Sequence, residues 1–360
     1  MKRSIFQTIR RGIIRLFRNF IMIPFDRNNK TKWANIQGKF AGQRAFILGN
    51  GPSLNHTPLY LLKGEHVMCF NRFGLIGERL NFSPDMYMIV DDIVALDNKE
   101  DVKDNIKRSK YVFLPNINFG TGVTNFKRIF GEISNVYWLN VFVKRFSRKR
   151  LDKVMGKKEP WVLIGRTVAT SGLEILMKLG FSEIYILGVD MNYVIHKDVE
   201  NLDKDTHIRS KADDDPNHFD PRYFGKGKEY HQPVQETMDI MMGALNDISE
   251  FAKDNGYSIY NATVGGMVEC FPRVDIYDVL KDKDQDYMFD SLLMYKTGLR
   301  LSSIDMNTTI TFDNFLGDID VCVINESEIE LFIKKYINNY LPLGPYSGKY
   351  LLIKRDHVIK

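Results

Sequence analysis

Six short apolar segments, each ended by a polar or turn-forming residue, constrain the fold of this chain more than any other feature. They are RAFILG (44–49), HVMCFN (66–71), MYMIVD (86–91), YVFLP (111–115), NVYWL (135–139) and EIYILGVD (183–190). Such runs, bounded by Gly, Pro, Asn or Asp, are typical of buried parallel strands. Helical stretches follow at 171–180 and 233–254. We therefore expect an α/β fold with a three-layer, Rossmann-like, mostly parallel sheet.

Length and composition are those of a folded protein. The chain has 360 residues, 44% of them hydrophobic, enough for one large or two ordinary domains. We predict a basic amphipathic helix in 1–30, a catalytic domain in 31–280 and a small C-terminal appendage in 281–360. The three cysteines are widely separated and lack C-x-x-C spacing, so neither a disulfide framework nor a zinc site is indicated. Without an apolar run of 18 residues or a leader cleavage site, a cytoplasmic location is expected.

The first 30 residues differ in charge from the rest. They hold eight Lys or Arg and one Asp, whereas the remainder holds 42 basic and 44 acidic residues, which argues against nucleic acid binding. A helix over SIFQTIRRGIIRLFRNF has arginines on one face and an apolar opposite face formed by Phe6, Ile9, Ile13, Leu16, Phe17 and Phe20. This pattern favours peripheral contact with an anionic membrane, here the inner face of the cytoplasmic membrane. The alternative is a helix docked on the protein's own core or on a second subunit, so a homo-oligomer stays open.

The turn GNGPSL (49–54) follows the first predicted strand. Its sixth residue is Leu where a dinucleotide fingerprint has its third Gly, and no Gly-Lys-Ser/Thr follows as a P-loop requires. Gly49 and Gly51 let the backbone approach a ligand closely, Pro52 can begin the next helix, and free N–H groups near Asn50 and Ser53 can face an anion. A nucleotide phosphate is the natural candidate. The alternative is a tight strand-to-helix turn without a ligand.

Polar residues also end other predicted strands. Asn71 ends the second strand and Asp91-Asp92 the third, while RTVATSGLEIL (166–176) joins a small polar turn to a helix. Ligands of open α/β sheets bind beyond the carboxyl ends of the strands, so these groups are candidates for one site.

A long polar segment, DDDPNHFDPRYFGKGKEYHQP (213–233), separates two ordered regions. It holds His218 and His231 together with Tyr223 and Tyr230, and a stretch of this kind inside a domain is usually functional or disordered. An imidazole titrates near neutral pH and suits proton transfer from a hydroxyl group. His218 is the favoured general base, whereas His231, just before Gln232-Pro233 at a predicted helix start, can bind phosphate or close the loop. The two roles can also be reversed.

Several motifs, in order over about 44–280, carry a resemblance to a known family. They are FILGNGPSLN (46–55), FNRF (70–73), TSG (170–172), LGFSEIYILGVDMNY (179–193), HFDPRYFGKG (218–227) and NATVGGMVECFPRV (261–274). Together they resemble the bacterial 6-hydroxymethylpterin diphosphokinase MptE-like family. The first half also resembles bacterial sialyltransferases that use CMP-N-acetylneuraminic acid, and the related flagellin nonulosonic acid transferases carry a similar domain.

The sialyltransferase resemblance implies a CMP-activated sugar donor, a bacterial surface glycan as acceptor and no required metal. It implies catalytic roles for His218, His231 and Tyr223. It further implies that the nucleotide is held by Gly49, Asn50, Gly51, Pro52, Ser53, Asn71, Asp91, Thr170, Ser171, Gly172 and Asp190.

The MptE-like resemblance implies a different reaction, transfer of diphosphate from ATP to a pterin alcohol. Asp91, Asp92 or Asp190 would then bind Mg²⁺ to neutralise the triphosphate. We favour the glycosyltransferase because a membrane-surface helix suits surface-glycan assembly. A non-catalytic nucleotide- or glycan-binding module is a third hypothesis.

Overall fold

The computed structural model describes residues 9, 10, 12, 13, 16, 26–118, 124–142, 145–202 and 206–359. Its strands, in chain order, are β1 (Arg44–Leu48), β2 (His66–Phe70), β3 (Met86–Met88), β4 (Tyr111–Pro115), β5 (Ile117–Asn118), β6 (Thr124–Asn125), β7 (Val136–Phe142), β8 (Trp161–Leu163), β9 (Glu183–Leu187), β10 (Val199–Asn201), β11 (His207–Ser210), β12 (Glu229–His231), β13 (Ser258–Asn261), β14 (Val321–Asn325), β15 (Tyr340–Tyr346) and β16 (Lys349–Lys354).

The α-helices of the same residues are α1 (Arg27–Ala34), α2 (Gly74–Gly77), α3 (Asp92–Asp97), α4 (Lys99–Arg108), α5 (Phe126–Phe130), α6 (Arg148–Met155), α7 (Val168–Leu179), α8 (Gln235–Asp254), α9 (Ile276–Val279), α10 (Gln285–Thr297) and α11 (Ile329–Tyr336). Short 3₁₀ turns occupy Pro52–His56, Leu59–Leu62, Leu301–Ser303, Phe312–Asn314, Glu326–Glu328 and Arg355–His357.

Eight strands form one central sheet in the order β13-β9-β1-β2-β3-β4-β7-β8, and every neighbouring pair is parallel. The predicted α/β fold with a parallel, Rossmann-like sheet is confirmed. All six predicted strands belong to this sheet, although β3 ends at Met88 and β7 continues to Phe142. The sequence analysis did not predict β8 and β13.

The core lies on both faces of the sheet. Phe46 and Leu48 of β1 belong to one apolar cluster, and Ala45 and Ile47 to another, because successive side chains of a strand point to opposite faces. Buried side chains of α7 and α8 cover the Ala45 face, and those of α4 and α10 cover the Phe46 face. The result is a three-layer α/β/α arrangement.

The C-terminal residues 281–359 pack into the same core as the central sheet. Strands β14, β16 and β15 form an antiparallel sheet in that order. Leu341 and Leu351 share the apolar cluster of Phe46. Two hydrogen bonds of 2.8 and 2.7 Å join the Arg355 guanidinium to the Glu78 carboxylate. The appendage is therefore held by apolar packing and by a charge-assisted contact.

Candidate active site

The order in which the chain adds strands to the sheet reverses between β1 and β9. From β1 the chain builds the sheet outward through β2, β3, β4, β7 and β8, and β9 and β13 are then added on the other side of β1. In open α/β sheets, ligands bind at such a switch point, in the crevice beyond the carboxyl ends of the strands. The turn 49–53 follows β1 and Asp190 follows β9, so both border this crevice.

The backbone amides of the turn after β1 bond mainly to the chain itself. Gly49 N donates to Leu187 O at 2.7 Å and Gly51 N to Gly188 O at 2.9 Å. Ser53 N donates to Asp190 Oδ2 at 3.1 Å. The prediction that free N–H groups face an anion is wrong for these three amides, because the segment after β9 already occupies them.

The same segment explains the glycines of the turn. A Cβ atom on Gly49 would lie 2.1 Å from Gly188 O, and one on Gly51 would lie 1.9 Å from Asp190 Oδ2. Gly51 has a φ of −70°, which any residue adopts, so close packing and not backbone conformation requires glycine there. Pro52 begins the helical turn Pro52–His56, as predicted, but the turn is a short 3₁₀ helix.

The segment 213–233 lies over the carboxyl ends of β1 and β2. Phe219 N donates to Asn50 O at 3.0 Å, and Asn55 Nδ2 donates to Phe219 O at 3.0 Å. The Arg72 guanidinium, next to the end of β2, donates to the carbonyl of Arg222 at 2.6 Å and also to that of Tyr223. These contacts bring His218 and Tyr223 to the crevice.

His218 forms an ordered pair with a carboxylate of its own loop. Its Nδ1 lies 2.7 Å from Asp215 Oδ2, and its ring stacks on Tyr223 with centroids 3.9 Å apart and an angle of 3° between the planes. Asp215 also accepts hydrogen bonds of 2.9 Å from Asn217 N and Phe224 N. His218 Nε2 has no hydrogen-bond partner among the residues described. A carboxylate that orients an imidazole is the usual arrangement around a general base.

The charges of the crevice follow from burial and from these contacts. Burial alone would raise the pKa of Asp215, but His218 and two backbone amides hold it below the usual value. Burial raises the pKa of Asp190, and the hydrogen bond from Ser53 N and the neighbouring His218 offset this in part. Burial also raises the pKa of Tyr223, so its hydroxyl stays a hydrogen-bond donor at neutral pH.

Buried oxygen atoms without partners mark the crevice as a candidate ligand site. In the part of the chain that the structure describes, no hydrogen bond reaches Asn50 Oδ1, Ser53 Oγ, Asn71 Oδ1, Asp190 Oδ1 or the Tyr223 hydroxyl. Asn71 lies beside the Tyr223 hydroxyl, and Ser53 beside Asp190, but neither pair reaches full hydrogen-bond geometry. Buried polar atoms normally have partners, so a cluster of this kind is suited to a polar ligand.

The three residues Thr170, Ser171 and Gly172 are buried in the first turns of α7. Ser171 Oγ donates to Leu163 O and Thr170 Oγ1 to Thr167 O, both at 2.8 Å. A Cβ atom on Gly172 would lie 2.6 Å from the Phe70 ring. The packing of α7 against the sheet therefore explains why these three positions hold Thr, Ser and Gly. No ligand is needed to explain them.

Asp91 and Asp92 follow β3 and serve local structure. Asp91 Oδ1 caps α3 by accepting from Val94 N at 3.0 Å, and Asp92 Oδ2 accepts from Thr124 Oγ1 at 2.8 Å. Burial raises the pKa of Asp91, which disfavours its charged form. Among the residues described, no group of three His, Cys, Asp or Glu side chains is arranged to hold a metal ion. The carboxylates of Asp91 and Asp92 are therefore both engaged in local contacts.

His231 lies on a different element from His218. It ends β12, pairs with His207 across the small antiparallel sheet, and has its Nδ1 3.2 Å from Thr206 Oγ1. It is a neighbour that lowers the pKa of Asp91, whereas His218 is a neighbour that lowers the pKa of Asp190. The helix predicted from residue 233 begins at Gln235, so His231 lies four residues before it, at the end of β12.

Two residues of the site were not among those predicted to bind or react. Asp215 orients His218, and Arg72 anchors the loop that carries Tyr223. The sequence contained a signal for Asp215, a carboxylate three positions before the histidine in DDDPNH. It also showed Arg72 as a polar residue at the end of the second predicted strand, but not its partners, which are backbone carbonyls far along the chain.

The predicted N-terminal helix lies mostly outside the described residues. Ile9, Ile13 and Leu16, which are described, are each more than half exposed, at 56%, 61% and 57%. A search of the described residues finds no helix long and apolar enough to cross a membrane.

Fold and crevice together define a Rossmann-like α/β protein with a candidate ligand site at its switch point. The model of the 6-hydroxymethylpterin diphosphokinase MptE-like family matches residues 21–196, which confirms the resemblance to that family. A comparison with curated proteins gives no match.

Three of the solved structures that match this chain are named as transferases. The MAf glycosyltransferase from Magnetospirillum magneticum AMB-1 is 16% identical, with a TM-score of 0.40 over 77% of this chain and 44% of its own, so this chain spans less than half of its length. The sialyltransferase CstII from Campylobacter jejuni, in complex with cytidine-5'-monophosphate, is 12% identical, with a TM-score of 0.36 over 65% of this chain and 85% of its own. A CST-II complex with trisaccharide acceptor and CMP is 15% identical, with a TM-score of 0.36 over 64% and 86% of the two chains.

Proposed function

We propose that this chain is a glycosyltransferase that transfers a sugar, sialic acid or a related nonulosonic acid, from a CMP-activated donor to a bacterial surface glycan. The observation that carries this proposal is the oriented His218–Asp215 pair beside five unpartnered buried oxygens at the switch point. A transferase that uses a hydroxyl acceptor needs both features, a base for the hydroxyl proton and polar groups that hold the donor.

The unpartnered atoms favour a nucleoside at the turn after β1. Carbonyl and carboxylate oxygens of Asn50, Asn71 and Asp190 accept hydrogen bonds, and ribose hydroxyls and the cytosine amino group donate them. A phosphate oxygen cannot donate to these groups when it is ionised, and three amides of the turn are already bonded. The phosphate is better placed toward Tyr223, whose protonated hydroxyl can donate to it.

The proposed step needs no further reactant. The acceptor hydroxyl transfers its proton to His218 Nε2, and its oxygen forms a bond to the anomeric carbon of the donor. The bond between that carbon and the phosphate oxygen breaks, and its electron pair leaves with CMP. Tyr223 then stabilises the charge that develops on the phosphate oxygen.

The second candidate is a diphosphokinase that transfers diphosphate from ATP to a pterin-type alcohol. The family match favours it directly. It ranks second because a triphosphate is normally neutralised by Mg²⁺, and the Asp91 and Asp92 carboxylates expected to bind that ion are engaged by Val94 N and Thr124 Oγ1.

Thermal unfolding with CMP, CDP, UDP and ATP, each with Mg²⁺ and with EDTA, tests the two candidates. We expect CMP to stabilise the protein equally in both conditions, by about 2.7 kcal/mol at a concentration 100 times its Kd. Stabilisation by ATP alone, and only with Mg²⁺, would establish the diphosphokinase instead. No response to any nucleotide would exclude both.

The N-terminal helix provides a separate test of location. We propose that it holds the enzyme on an anionic membrane surface, because Ile9, Ile13 and Leu16 are exposed in a segment rich in arginine. Deletion of residues 1–23 should abolish co-sedimentation with anionic vesicles and leave CMP-dependent stabilisation unchanged. A deletion that lowers the unfolding temperature of the body would show that the helix docks on the protein itself.

A further inference from the structure

We infer that Asp215 is the positioning residue of the proposed base and holds His218 with Nε2 unprotonated and directed away from Asp215. The inference rests on the proposed function, because only a transfer to a hydroxyl acceptor gives His218 a proton to take.

Asp215 is built into the loop as a fixed acceptor. Its side chain is 1% exposed, against 14% for His218, so solvent does not compete for it. One oxygen accepts from Asn217 N, and the other accepts from Phe224 N and faces His218 Nδ1. Three contacts on one short side chain leave it little freedom to rotate.

The tautomer of His218 follows from this chemistry. The same three groups hold the pKa of Asp215 below its usual value, so it is an ionised acceptor at neutral pH. An ionised carboxylate 2.7 Å from Nδ1 requires a proton on Nδ1. In the neutral imidazole the lone pair then lies on Nε2.

The orientation of the ring is set by the same carboxylate. Asp215 fixes the backbone of Phe224, whose ring meets the His218 ring edge to face at a centroid distance of 5.0 Å. Tyr223 stacks on one face of the imidazole at 3.9 Å. When Nε2 takes the acceptor proton, the ring becomes an imidazolium, and its Nδ1–H still donates to the Asp215 carboxylate, which stabilises the new charge.

A neighbouring pair supplies a matched control. Asp214 Oδ1 lies 2.7 Å from Nε2 of His196, a buried histidine whose Nδ1 contacts the Tyr230 hydroxyl. The two aspartates are adjacent in sequence and make the same kind of contact, but His196 is bonded on both ring nitrogens. It has no nitrogen left to act as a base.

Kinetics of the full chain test the positioning role. With CMP-N-acetylneuraminic acid as the probe and CMP release as the readout, Asp215→Asn should lower kcat by about 10²-fold or more, because the amide can donate to Nδ1 and favour the wrong tautomer. KM for the donor should change less than about threefold, since the Asp215 side chain is 1% exposed and bonded within its own loop. Asp215→Glu should restore part of kcat, and Asp214→Asn should leave kcat within about threefold of the wild type. Equal losses in the two Asn variants, or a loss confined to KM, would overturn the inference.

A second measurement needs no substrate. Nitrogen-15 NMR of His218 in the free protein should show Nδ1–H in the wild type and in Asp214→Asn, and a shift toward Nε2–H in Asp215→Asn. Nε2–H in the wild type would contradict the positioning role whatever the reaction is. If NMR shows the expected tautomer but the protein releases no CMP, the positioning role of Asp215 is supported. Only the glycosyltransferase function is then refuted.

Discussion

The turn after β1 and the first turns of α7 have similar sequences and different environments. Both combine glycine with small polar residues after a strand, and both were predicted to bind the nucleotide. At the first turn, Asn50 and Ser53 hold buried oxygens without partners. In α7, the hydroxyls of Thr170 and Ser171 each donate to a carbonyl at 2.8 Å.

The contrast between the two regions shows that glycine and small polar residues mark the end of a strand. They do not decide whether a ligand binds there. A buried hydroxyl that donates to a carbonyl of its own chain has its hydrogen-bond requirement satisfied. A buried oxygen without a partner costs free energy until a ligand or a water molecule bonds to it. Glycine does not distinguish the regions, because Gly51 and Gly172 are both enclosed by the protein itself.

The largest expected effect comes from adding one methyl group to each region. In Gly51→Ala, the new Cβ would meet the Asp190 carboxylate at 1.9 Å and displace it from Ser53 N, so CMP-dependent stabilisation should be lost. In Gly172→Ala, the Cβ would meet the Phe70 ring at 2.6 Å, which should cost about 1–3 kcal/mol of stability. The CMP response of this second variant should survive. Thermal unfolding with and without CMP measures both, and loss of the response in Gly172→Ala would place α7 in the site.

A buried carboxyl of α7 gives the second effect, on the pH dependence of stability. Glu174 is fully buried, and burial raises its pKa well above 4.5, with a hydrogen bond from Leu163 N of 2.9 Å opposing this in part. The folded state therefore retains a proton that the unfolded state loses above pH 4.5. Stability should fall by up to about 1.4 kcal/mol per pH unit as pH rises from 4.5 toward the folded pKa.

Glu174→Gln removes this titration and should flatten the profile of the urea midpoint between pH 5 and 8. The stability of the variant should equal that of the wild type near pH 4.5 and exceed it at neutral pH. Its affinity for CMP should be unchanged. Parallel profiles for the two proteins would show that Glu174 does not retain its proton on folding.

The smallest expected effects come from removing one polar group in each region. Asn50→Ala removes an unpartnered oxygen and should weaken CMP binding about tenfold with little change in stability. Ser171→Ala removes a buried hydrogen bond and should lower stability by about 1 kcal/mol with unchanged CMP affinity. Calorimetric titration measures CMP affinity and urea unfolding measures stability. If Asn50→Ala lost only stability and Ser171→Ala lost only CMP affinity, α7 and not the turn after β1 would bind the nucleotide.

Much of the fold could be predicted from the apolar runs alone. β1, β2 and β4 begin where their sequence runs predict, because a parallel strand buried on both faces must be almost wholly apolar. β8 was missed because three residues, Trp161–Leu163, are too few to establish a pattern. β13 was missed because only four residues, Ser258–Asn261, separate α8 from a long irregular segment.

The candidate site was only partly predictable for a physical reason. The sequence by itself determined which polar residues follow strands, and among them Asn50, Asn71 and Asp190 lie around the crevice. Only the tertiary structure placed β9 beside β1, and so brought Asp190 to the turn 49–53 from 137 positions away. It also decided which polar atoms are left without partners, because that depends on carbonyls and amides supplied by distant segments. Local sequence determines strands through burial, whereas a binding site consists of what the assembled chain leaves unbonded.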